Sequence, residues 1–531
     1  MYFQSTKQLL YWKWKQVRIA SIIWILSLVA ITLLTVIAFD GLYQSQQERN
    51  VMAETMKNPA MVAMVGPIFS VENYHTGAML AHQMLVFTMV VIGVMNCLLM
   101  STLTRKEEED GRMEFIRALP VGRLASISAS VIYLVVVNLL IGFFITVGLI
   151  VLNESSVTII GSIVYGLTIA TAGIFFAMLT AFLAQLQETS KGTTGIAIAS
   201  LFVFYFIRAI GDVTAEQVSF LSPLGLLVRT KSFVENTLWP IPVVLGFSVV
   251  FLLLTFFVQA RRDIGSGLIP SRKGKRDAGH LLASPLGLII RIQFKSMLAW
   301  FFALWIVGVS YGSVFGDIEV FIADNEMFQQ LIGNNSDYSV TEQFTTLLMR
   351  VLAIFATIPG ILFFMRIRGE EKKGRVEHLL VRSVARIRVV CIYWIIGWFS
   401  AALSLFLGIF GLWLVSKEVM TNPIPFENMF VSSFSYLPAM FFVISLAVWL
   451  FGWVPKYTSL IWGYLVFCFI HIYLGGLLEM PEWGTMLSSF AHIPELPMDT
   501  FTWKPLISIS ALAIVVSIIG MIGYKRRDAL G

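Results

Sequence analysis

The stretch Arg105–Arg123, RKEEEDGRMEFIRALPVGR, is the best guide to the architecture because the chain contains it twice. The second copy is Arg368–Arg386, RGEEKKGRVEHLLVRSVAR. At one constant offset the two copies share seven residues: Arg105, Glu107, Glu108, Gly111, Arg112, Glu114 and Arg123 meet Arg368, Glu370, Glu371, Gly374, Arg375, Glu377 and Arg386. Chance would give roughly one or two identities in such a stretch, so the chain contains an internal repeat.

Each copy, called here an island, is predicted to form a short, charged, amphipathic helix. Apolar residues occupy matching positions, such as Met113 and Val376. Glu108 lies four residues before Arg112, a spacing that favours an ion pair on one helix face, and the second copy repeats it. Long apolar runs flank both islands, which predicts a charged segment at a membrane surface, facing a partner.

The composition is that of a membrane protein. Hydrophobic residues make up 57% of the chain and charged residues 13%, against roughly 45–50% and 25% in soluble domains. The three cysteines are isolated in or beside apolar runs, which predicts neither a disulfide framework nor a metal site.

The apolar runs predict an all-α polytopic protein of about 12 transmembrane helices, built as a tandem repeat of a six-span unit. Residues 1–262 form the first half, 263–285 a basic cytoplasmic linker, and 286–531 the second half. Both halves close alike, with the sequence Arg-Arg-Asp at 261–263 and 526–528. The predicted spans are 19–39, 79–103, 125–152, 159–184, 194–212 and 241–259, then 298–315, 344–365, 389–415, 434–454, 458–478 and 505–524. Residues 1–18, which are basic and contain Trp12 and Trp14, predict a helix lying in the membrane interface. Large loops are predicted after the first span of each half, at 40–78 and 316–343.

The basic residues predict the orientation. Six spans per half make the repeat parallel, and both termini and both islands are expected in the cytoplasm. About 30 of the 38 Lys and Arg residues then lie inside. The net charge of +6 is thereby explained by topology and lipid contact, so nucleic acid is not expected as a partner.

The sequence lacks the motifs of common catalytic centres. It contains no GxxxxGK[ST] phosphate loop, no HExxH and no CxxC. We therefore expect no enzymatic activity, no metal and no cofactor in this chain.

A few residues within membrane depth are candidates for a substrate path. Arg208 and Asp212, one turn apart, predict either a local ion pair or a substrate or gate contact. Arg350 is expected to face the protein interior or a water-filled cavity. Aromatic and Met side chains either line a greasy path or face lipid and neighbouring helices. The candidate path residues are Phe87, Met95, Phe204, Tyr205, Arg208, Arg350, Phe355 and Phe467.

At the islands the chain resembles the type-2 ABC exporter permeases, in particular the fused twelve-span form of the bacterial exporters of polyketide antibiotics. The resemblance rests on an acidic run, GRxE, an apolar helix and a closing Arg between the second and third of six spans. It implies a bacterial cell-membrane permease that exports an antibiotic, drug or lipid-like compound and contributes to antibiotic resistance.

The resemblance also implies that each island is a coupling helix that binds one of two copies of a separate ATPase subunit. ATP and Mg would then be bound by those partners. It further implies that the second and fifth spans of each half line the central path. The implied coupling residues are Glu107, Glu108, Gly111, Arg112, Glu114 and Arg123 in one island, and Glu370, Glu371, Gly374, Arg375, Glu377 and Arg386 in the other.

The sequence leaves two alternative functions open. Twelve spans in two parallel halves also describe secondary transporters of the major facilitator class, although their loop signature is absent between the second and third spans. A membrane enzyme or sensor would need a polar cluster at one face, and the sequence shows none.

Overall fold

The computed structural model describes residues 2–527 except positions 44, 58, 72–73, 270–275, 316–339, 382–383, 421–422, 475–481 and 497. The described residues are helical, with turns and short connections between helices. The chain divides into two compact units, an N-terminal unit Met1–Gly274 and a C-terminal unit Lys275–Gly531. The division falls within the basic stretch 263–285.

The N-terminal unit contains twelve α-helices within its described residues. They are α1 (Thr6–Leu42), α2 (Gln46–Thr55), α3 (Pro59–Val65), α4 (Thr76–Leu103), α5 (Arg105–Glu109), α6 (Arg112–Arg117), α7 (Ala125–Leu152), α8 (Ile159–Leu186), α9 (Ser190–Thr214), α10 (Glu216–Ser219), α11 (Pro223–Val228) and α12 (Pro240–Arg261).

The C-terminal unit repeats this order where it is described. After a 3-10 turn at His280–Ala283, its helices are α13 (Pro285–Val314), α14 (Val340–Lys372), α15 (Arg375–Leu380), α16 (Arg386–Val419), α17 (Phe426–Phe434), α18 (Leu437–Trp453), α19 (Leu460–Leu474), α20 (Glu482–Leu487) and α21 (Trp503–Arg526).

Eleven helical segments among the described residues are long and apolar enough to cross a bilayer. They coincide with eleven of the twelve predicted spans. The remaining one, predicted at 458–478, corresponds to the shorter α19, and residues 475–478 lie outside the described residues. The prediction of an all-α polytopic membrane protein is confirmed, and the chain is a multi-pass membrane protein.

The first helix differs from the prediction. The basic residues before position 19 were expected to form a helix lying in the membrane interface, followed by a span, but α1 runs unbroken from Thr6 to Leu42. No Pro or Gly occurs before Gly41 to interrupt it. The predicted outer loop at 40–78 contains α2 and α3, and most of the loop predicted at 316–343 lies outside the described residues.

Small residues bring neighbouring helices together. A Cβ on Gly142 of α7 would lie 2.6 Å from the Gly166 carbonyl of α8, and a Cβ on Gly452 of α18 would lie 2.0 Å from the Gly520 carbonyl of α21. Such pairs let backbones approach where lipid supplies no hydrophobic driving force between helices.

Two well-buried membrane helices position the islands. The apolar segments of α4 and α14 are 67% and 78% buried in their units, whereas that of α1 is 17% buried. The first island follows directly after α4, and the second begins in the last turns of α14. The place of each island is therefore set by a core helix of its own unit.

Candidate functional site

A glycine with left-handed backbone divides each island. Gly111 has φ 75° and ψ 0°, and Gly374 has φ 66° and ψ 6°. An L-residue with a Cβ adopts this conformation at a cost, whereas glycine does not. Each glycine precedes a six-residue helix, α6 or α15, so the copies share both a sequence and a backbone shape.

The prediction of one helix per island, with an ion pair across one turn, is wrong because the chain bends at the glycine. Glu108 pairs with Arg105 at 2.7 Å and with Arg262 at 2.6 Å, whereas Arg112 lies 3.6 Å from Asp110. The second island likewise lacks the predicted pair between Glu371 and Arg375. Arg375 lies 3.3 Å from Glu370 instead.

The bend lets each island bind the end of the last helix of its unit. The Arg262 guanidinium donates to both carboxylate oxygens of Glu108, at 2.6 and 3.0 Å. In the C-terminal unit, Arg527 donates to both oxygens of Glu371, at 2.7 and 2.5 Å. We call these two ion pairs the clamps. The acceptors are the second acidic residues of the two islands, and the donors are the second arginines of the two Arg-Arg-Asp sequences.

The closing arginine of each island reinforces its clamp. Arg123 donates to the Arg262 carbonyl at 2.9 Å, and Arg386 donates to the Arg527 carbonyl at 3.0 Å. Both arginines therefore hold the island to its own unit and do not extend away from it. Their role as coupling residues stays a prediction.

The first arginine of each island binds a different helix end. Arg105 donates to the Ala184 carbonyl near the end of α8 at 3.0 Å, and Arg368 donates to the Lys456 carbonyl beyond α18 at 3.2 Å. Each island thus contacts the chain near the ends of two helices of its unit. Neither Arg105 nor Arg368 was among the predicted site residues, although both belong to the repeat.

The first island has further anchors from the N-terminal segment. Lys13 of α1 forms a fully buried ion pair with Glu107 and also donates to the Leu103 carbonyl at 2.5 Å. At the other end of the island, the amides of Gly122 and Leu124 donate to the Gln4 and Tyr2 carbonyls at 3.1 and 2.9 Å. The N-terminal segment therefore holds both ends of the first island.

The second island is more open at the equivalent position. Glu370, the counterpart of Glu107, lies 3.7 Å from Arg366 and 3.3 Å from Arg375, and its side chain is 12% exposed.

Lys13 was not among the predicted site residues, although it lies on the face of α1 that carries the buried residues Leu9 and Val17. A lysine in a buried apolar stripe is a signal that sequence reasoning can use.

Within its described residues, the linker also touches the first island at its base. The Gly265 amide donates to Glu108 at 3.3 Å, and Arg105 donates to the Ser266 carbonyl at 3.1 Å. The tip of the island, by contrast, carries Phe115, whose side chain is 80% exposed.

The tips of both islands form exposed surfaces of mixed charge and apolar character. Met113 and Val376 are buried, as the amphipathic pattern predicts. On the opposite side, Val381 is 85% exposed and both Glu114 and Glu377 are exposed. We call these faces the docking surfaces: Arg112, Glu114, Phe115 and Leu119 in the N-terminal unit, and Arg375, Glu377, His378 and Val381 in the C-terminal unit.

Arg208 is the more buried of the two charged path candidates, and its guanidinium is paired with backbone carbonyls and a carboxylate. It donates to the Ala63 and Met64 carbonyls at 2.9 and 3.1 Å and lies 3.3 Å from Asp212. Asp212 also accepts from Arg229 at 3.0 Å. The local ion pair between Arg208 and Asp212 is confirmed, and it is part of a larger buried network.

The other path candidates in the N-terminal unit differ in exposure. Phe87 is 39% exposed on α4, whereas Met95 of the same helix is completely buried. Phe204 packs against Phe175 with 5.9 Å between ring centroids, and the Tyr205 hydroxyl donates to the Met64 carbonyl at 3.0 Å. Among the candidates of this unit, only Phe87 is exposed.

The path candidates in the C-terminal unit are also engaged. Arg350 forms an ion pair with Glu495 and lies 3.3 Å from the Tyr436 hydroxyl. Phe355 stacks on Phe469 and Phe467 stacks on Tyr464, with centroid separations of 6.1 and 6.5 Å. Arg350 therefore faces polar groups of its own unit.

An enclosed cavity in the N-terminal unit is too small for a drug. Its volume is about 20 Å³, enough for one water molecule. Tyr74, whose pKa is raised by burial, hydrogen-bonds His82 Nδ1 at 2.7 Å at the cavity wall, and His82 Nε2 lies 3.0 Å from the Gly66 carbonyl. Among the residues that the structure describes, no cluster of His, Cys, Asp or Glu has the arrangement of a metal site.

The fold defines a multi-pass membrane protein. Its two related docking surfaces are candidate sites for binding another protein. The family described as the C-terminal domain of the multidrug efflux system permease Rv1217c matches residues 282–525. The chain is also homologous to the multidrug efflux system permease protein Rv1217c of Mycobacterium tuberculosis. The two are 28% identical over 537 aligned positions, which cover 99% of this chain and 95% of the relative.

Proposed function

We propose that this chain is the permease subunit of an ATP-driven ABC exporter in a bacterial cell membrane, with both termini in the cytoplasm. Two copies of a separate ATPase bind the two docking surfaces and supply ATP and Mg. The exporter moves an amphipathic or hydrophobic compound, such as an antibiotic, drug or lipid-like molecule, out of the cell. The description of the mycobacterial relative as a multidrug efflux permease supports this proposal.

The exposure of the island tips carries the proposal. Phe115 and Val381 are 80% and 85% exposed, although the rest of each island is tied to its unit by buried or half-buried ion pairs. A rigid element that presents apolar and charged side chains is suited to a protein partner. Arg123 and Arg386 then position the docking surfaces, and Glu114 and Glu377 contact the partner.

The clamps give the partner a mechanical connection to the membrane helices. Each island joins the end of α4 or α14 to the end of α12 or α21. Shifting a two-state gate from mostly closed to mostly open takes about 5.5 kcal/mol of differential binding. A partner whose nucleotide states bind the docking surfaces differently can supply that energy through these contacts.

Reconstitution tests this function. Full-length protein is co-expressed with candidate ABC ATPases of the same organism, and ATP hydrolysis is measured in nanodiscs. Glu114→Lys and Glu377→Lys should reduce the stimulation of hydrolysis by the permease. Glu418→Lys is the control, because this exposed side chain lies at the far end of α16, roughly 50 Å from the island.

Transport measurements separate this function from its alternative. Export of a fluorescent drug from vesicles should require both the ATPase and ATP. Export that continues without the ATPase and stops when the proton gradient collapses would identify a secondary transporter and refute the proposal. Unchanged hydrolysis in both Glu→Lys variants would refute the docking assignment.

A further inference from the structure

The first turns of α1 carry a basic and aromatic stripe on their exposed face. Its members recur at helical spacing and all are exposed: Lys7, Tyr11, Trp14, Lys15 and Arg18. The opposite face, with Leu9 and Val17, is buried in the N-terminal unit. This end of α1 is therefore two-sided, with one face used for packing and one open.

The charges on this end of α1 are unequally neutralised. Lys13 lies on the packed face and pairs with Glu107. Within the described residues, no ion pair involves Lys7, Lys15 or Arg18, and α1 carries no acidic residue before Asp40. The open face therefore presents positive charge without a carboxylate from the chain to balance it.

The length of α1 determines which of these cations lie at the membrane surface. The helix has 37 residues, and its apolar part, Ile19–Phe39, spans roughly 30 Å, the thickness of the hydrocarbon core. Arg18 and Lys15 then lie within roughly 6 Å of the hydrocarbon, at the depth of the lipid head groups. Lys7 lies roughly 18 Å from Ile19, beyond that layer.

Aromatic rings hold the two head-group cations in place. Tyr11 and Trp14 stack with 5.9 Å between centroids, Lys15 lies 4.6 Å from the Tyr11 centroid, and Arg18 lies 5.5 Å from the Trp14 centroid. These contacts orient the cations without cancelling their charge. Tryptophan and tyrosine also favour the membrane interface.

We propose that Lys15 and Arg18, together with Tyr11 and Trp14, bind the head group of an anionic phospholipid. The phosphate diester lies between the two cations, and the acyl chains continue along the apolar part of α1. Charge complementarity selects an anionic lipid over a zwitterionic one. The site shares its helical turns with Lys13, so it adjoins the anchor of the first island.

Photolabelling of the full-length protein tests the site. The protein is placed in phosphatidylcholine nanodiscs that contain a trace of photoactivatable phosphatidylglycerol, and labelled peptides are mapped by mass spectrometry. Label should appear on the peptide containing residues 11–18. The double variant Lys15→Gln/Arg18→Gln should reduce it on the order of 30-fold, as expected if each of the two basic residues contributes about fivefold to the affinity for an anionic head group.

Lys7→Gln is the matched control, because it removes one charge from the same face outside the head-group layer and should leave labelling unchanged. In the wild-type protein, added phosphatidylglycerol should displace the label and added phosphatidylcholine should not, a comparison that does not depend on the folding of any variant. Equal labelling by a phosphatidylcholine probe, persistence of the label in the double variant, or displacement by soluble glycerol phosphate would overturn the proposal.

Discussion

Arg262 reaches Glu108 across 154 positions of sequence and donates to both of its carboxylate oxygens, with a shortest distance of 2.6 Å. The same relationship recurs between Arg527 and Glu371 in the C-terminal unit. Each clamp closes its unit by joining the segment after the second membrane helix to the end of the last one. The two copies of the repeat therefore form equivalent ion pairs, one in each unit.

The clamps should differ in strength, because the first is more buried. The side chains of Glu108 and Arg262 are 8% and 3% exposed, against 14% and 15% for Glu371 and Arg527. Glu108→Gln should destabilise the protein by about 3–5 kcal/mol, as for a buried ion pair that loses one partner. Glu371→Gln should cost less. The melting temperature of the purified protein measures both, with Glu418→Gln as the exposed control; equal shifts in all three variants would contradict this.

The glycines of the islands should resist substitution because of their backbone. No atom lies within 4 Å of a Cβ built on Gly111 or Gly374, so Ala at either position meets no steric obstacle. The left-handed conformation should nevertheless cost about 1–2 kcal/mol. Hydrogen exchange of α6 and α15 should accelerate in the respective Ala variant. Gly369→Ala is the control, since Gly369 lies inside α14 with equal space around it; an acceleration there would point to a general effect of the added methyl.

The buried pair between Lys13 and Glu107 predicts strong coupling. Lys13→Met should destabilise by about 3–5 kcal/mol, because it leaves a buried carboxylate without its partner. The double variant Lys13→Met/Glu107→Leu should recover much of that loss. A double-mutant cycle on melting temperature checks the prediction. Additive effects of the two changes would show that the residues do not interact.

A buried amide pair inside the membrane region should matter to the N-terminal unit. Asn96 of α4 and Asn138 of α7 exchange hydrogen bonds of 2.9 and 2.8 Å. Asn96→Leu should cost roughly 0.6–1.7 kcal/mol, the range of hydrogen bonds between membrane helices. At the equivalent positions the C-terminal unit has Pro359 and Ala401, whose side chains cannot form hydrogen bonds. Ala401→Val therefore tests the effect of packing alone where the equivalent helices meet. A loss for Asn96→Leu that Asn138→Leu does not share would contradict a reciprocal bond.

Phe115 should contribute more to partner binding than any residue of the second docking surface. Its ring is 80% exposed, and the equivalent position holds His378. Phe115→Ala should weaken binding of the proposed ATPase by at least 2 kcal/mol, the threshold of an interface hot spot, without lowering the melting temperature. His378→Ala should have a smaller effect. Binding to the immobilised permease measures both, and a matching loss of thermal stability would instead indicate a structural role for Phe115.

The class of protein, the membrane helices and the existence of two related islands could be predicted from the amino-acid sequence. These features follow from local properties: apolar runs long enough to span a bilayer, and a repeated pattern at one offset. The predicted ion pair between Glu108 and Arg112 is wrong because the four-residue spacing places two side chains together only on an unbroken helix. Gly111 breaks that helix.

The charges of the islands that face inward follow from tertiary packing. Glu108 and Arg123 of the first island meet Arg262 because the island packs against the end of α12, and Lys13 reaches Glu107 because α1 packs beside α4. The repeated Arg-Arg-Asp sequences marked the ends of the two halves, but a sequence does not give the distance between residues far apart along it. That distance depends on helix packing. The packing decides which island residues pair within the chain and which remain exposed on the docking surfaces.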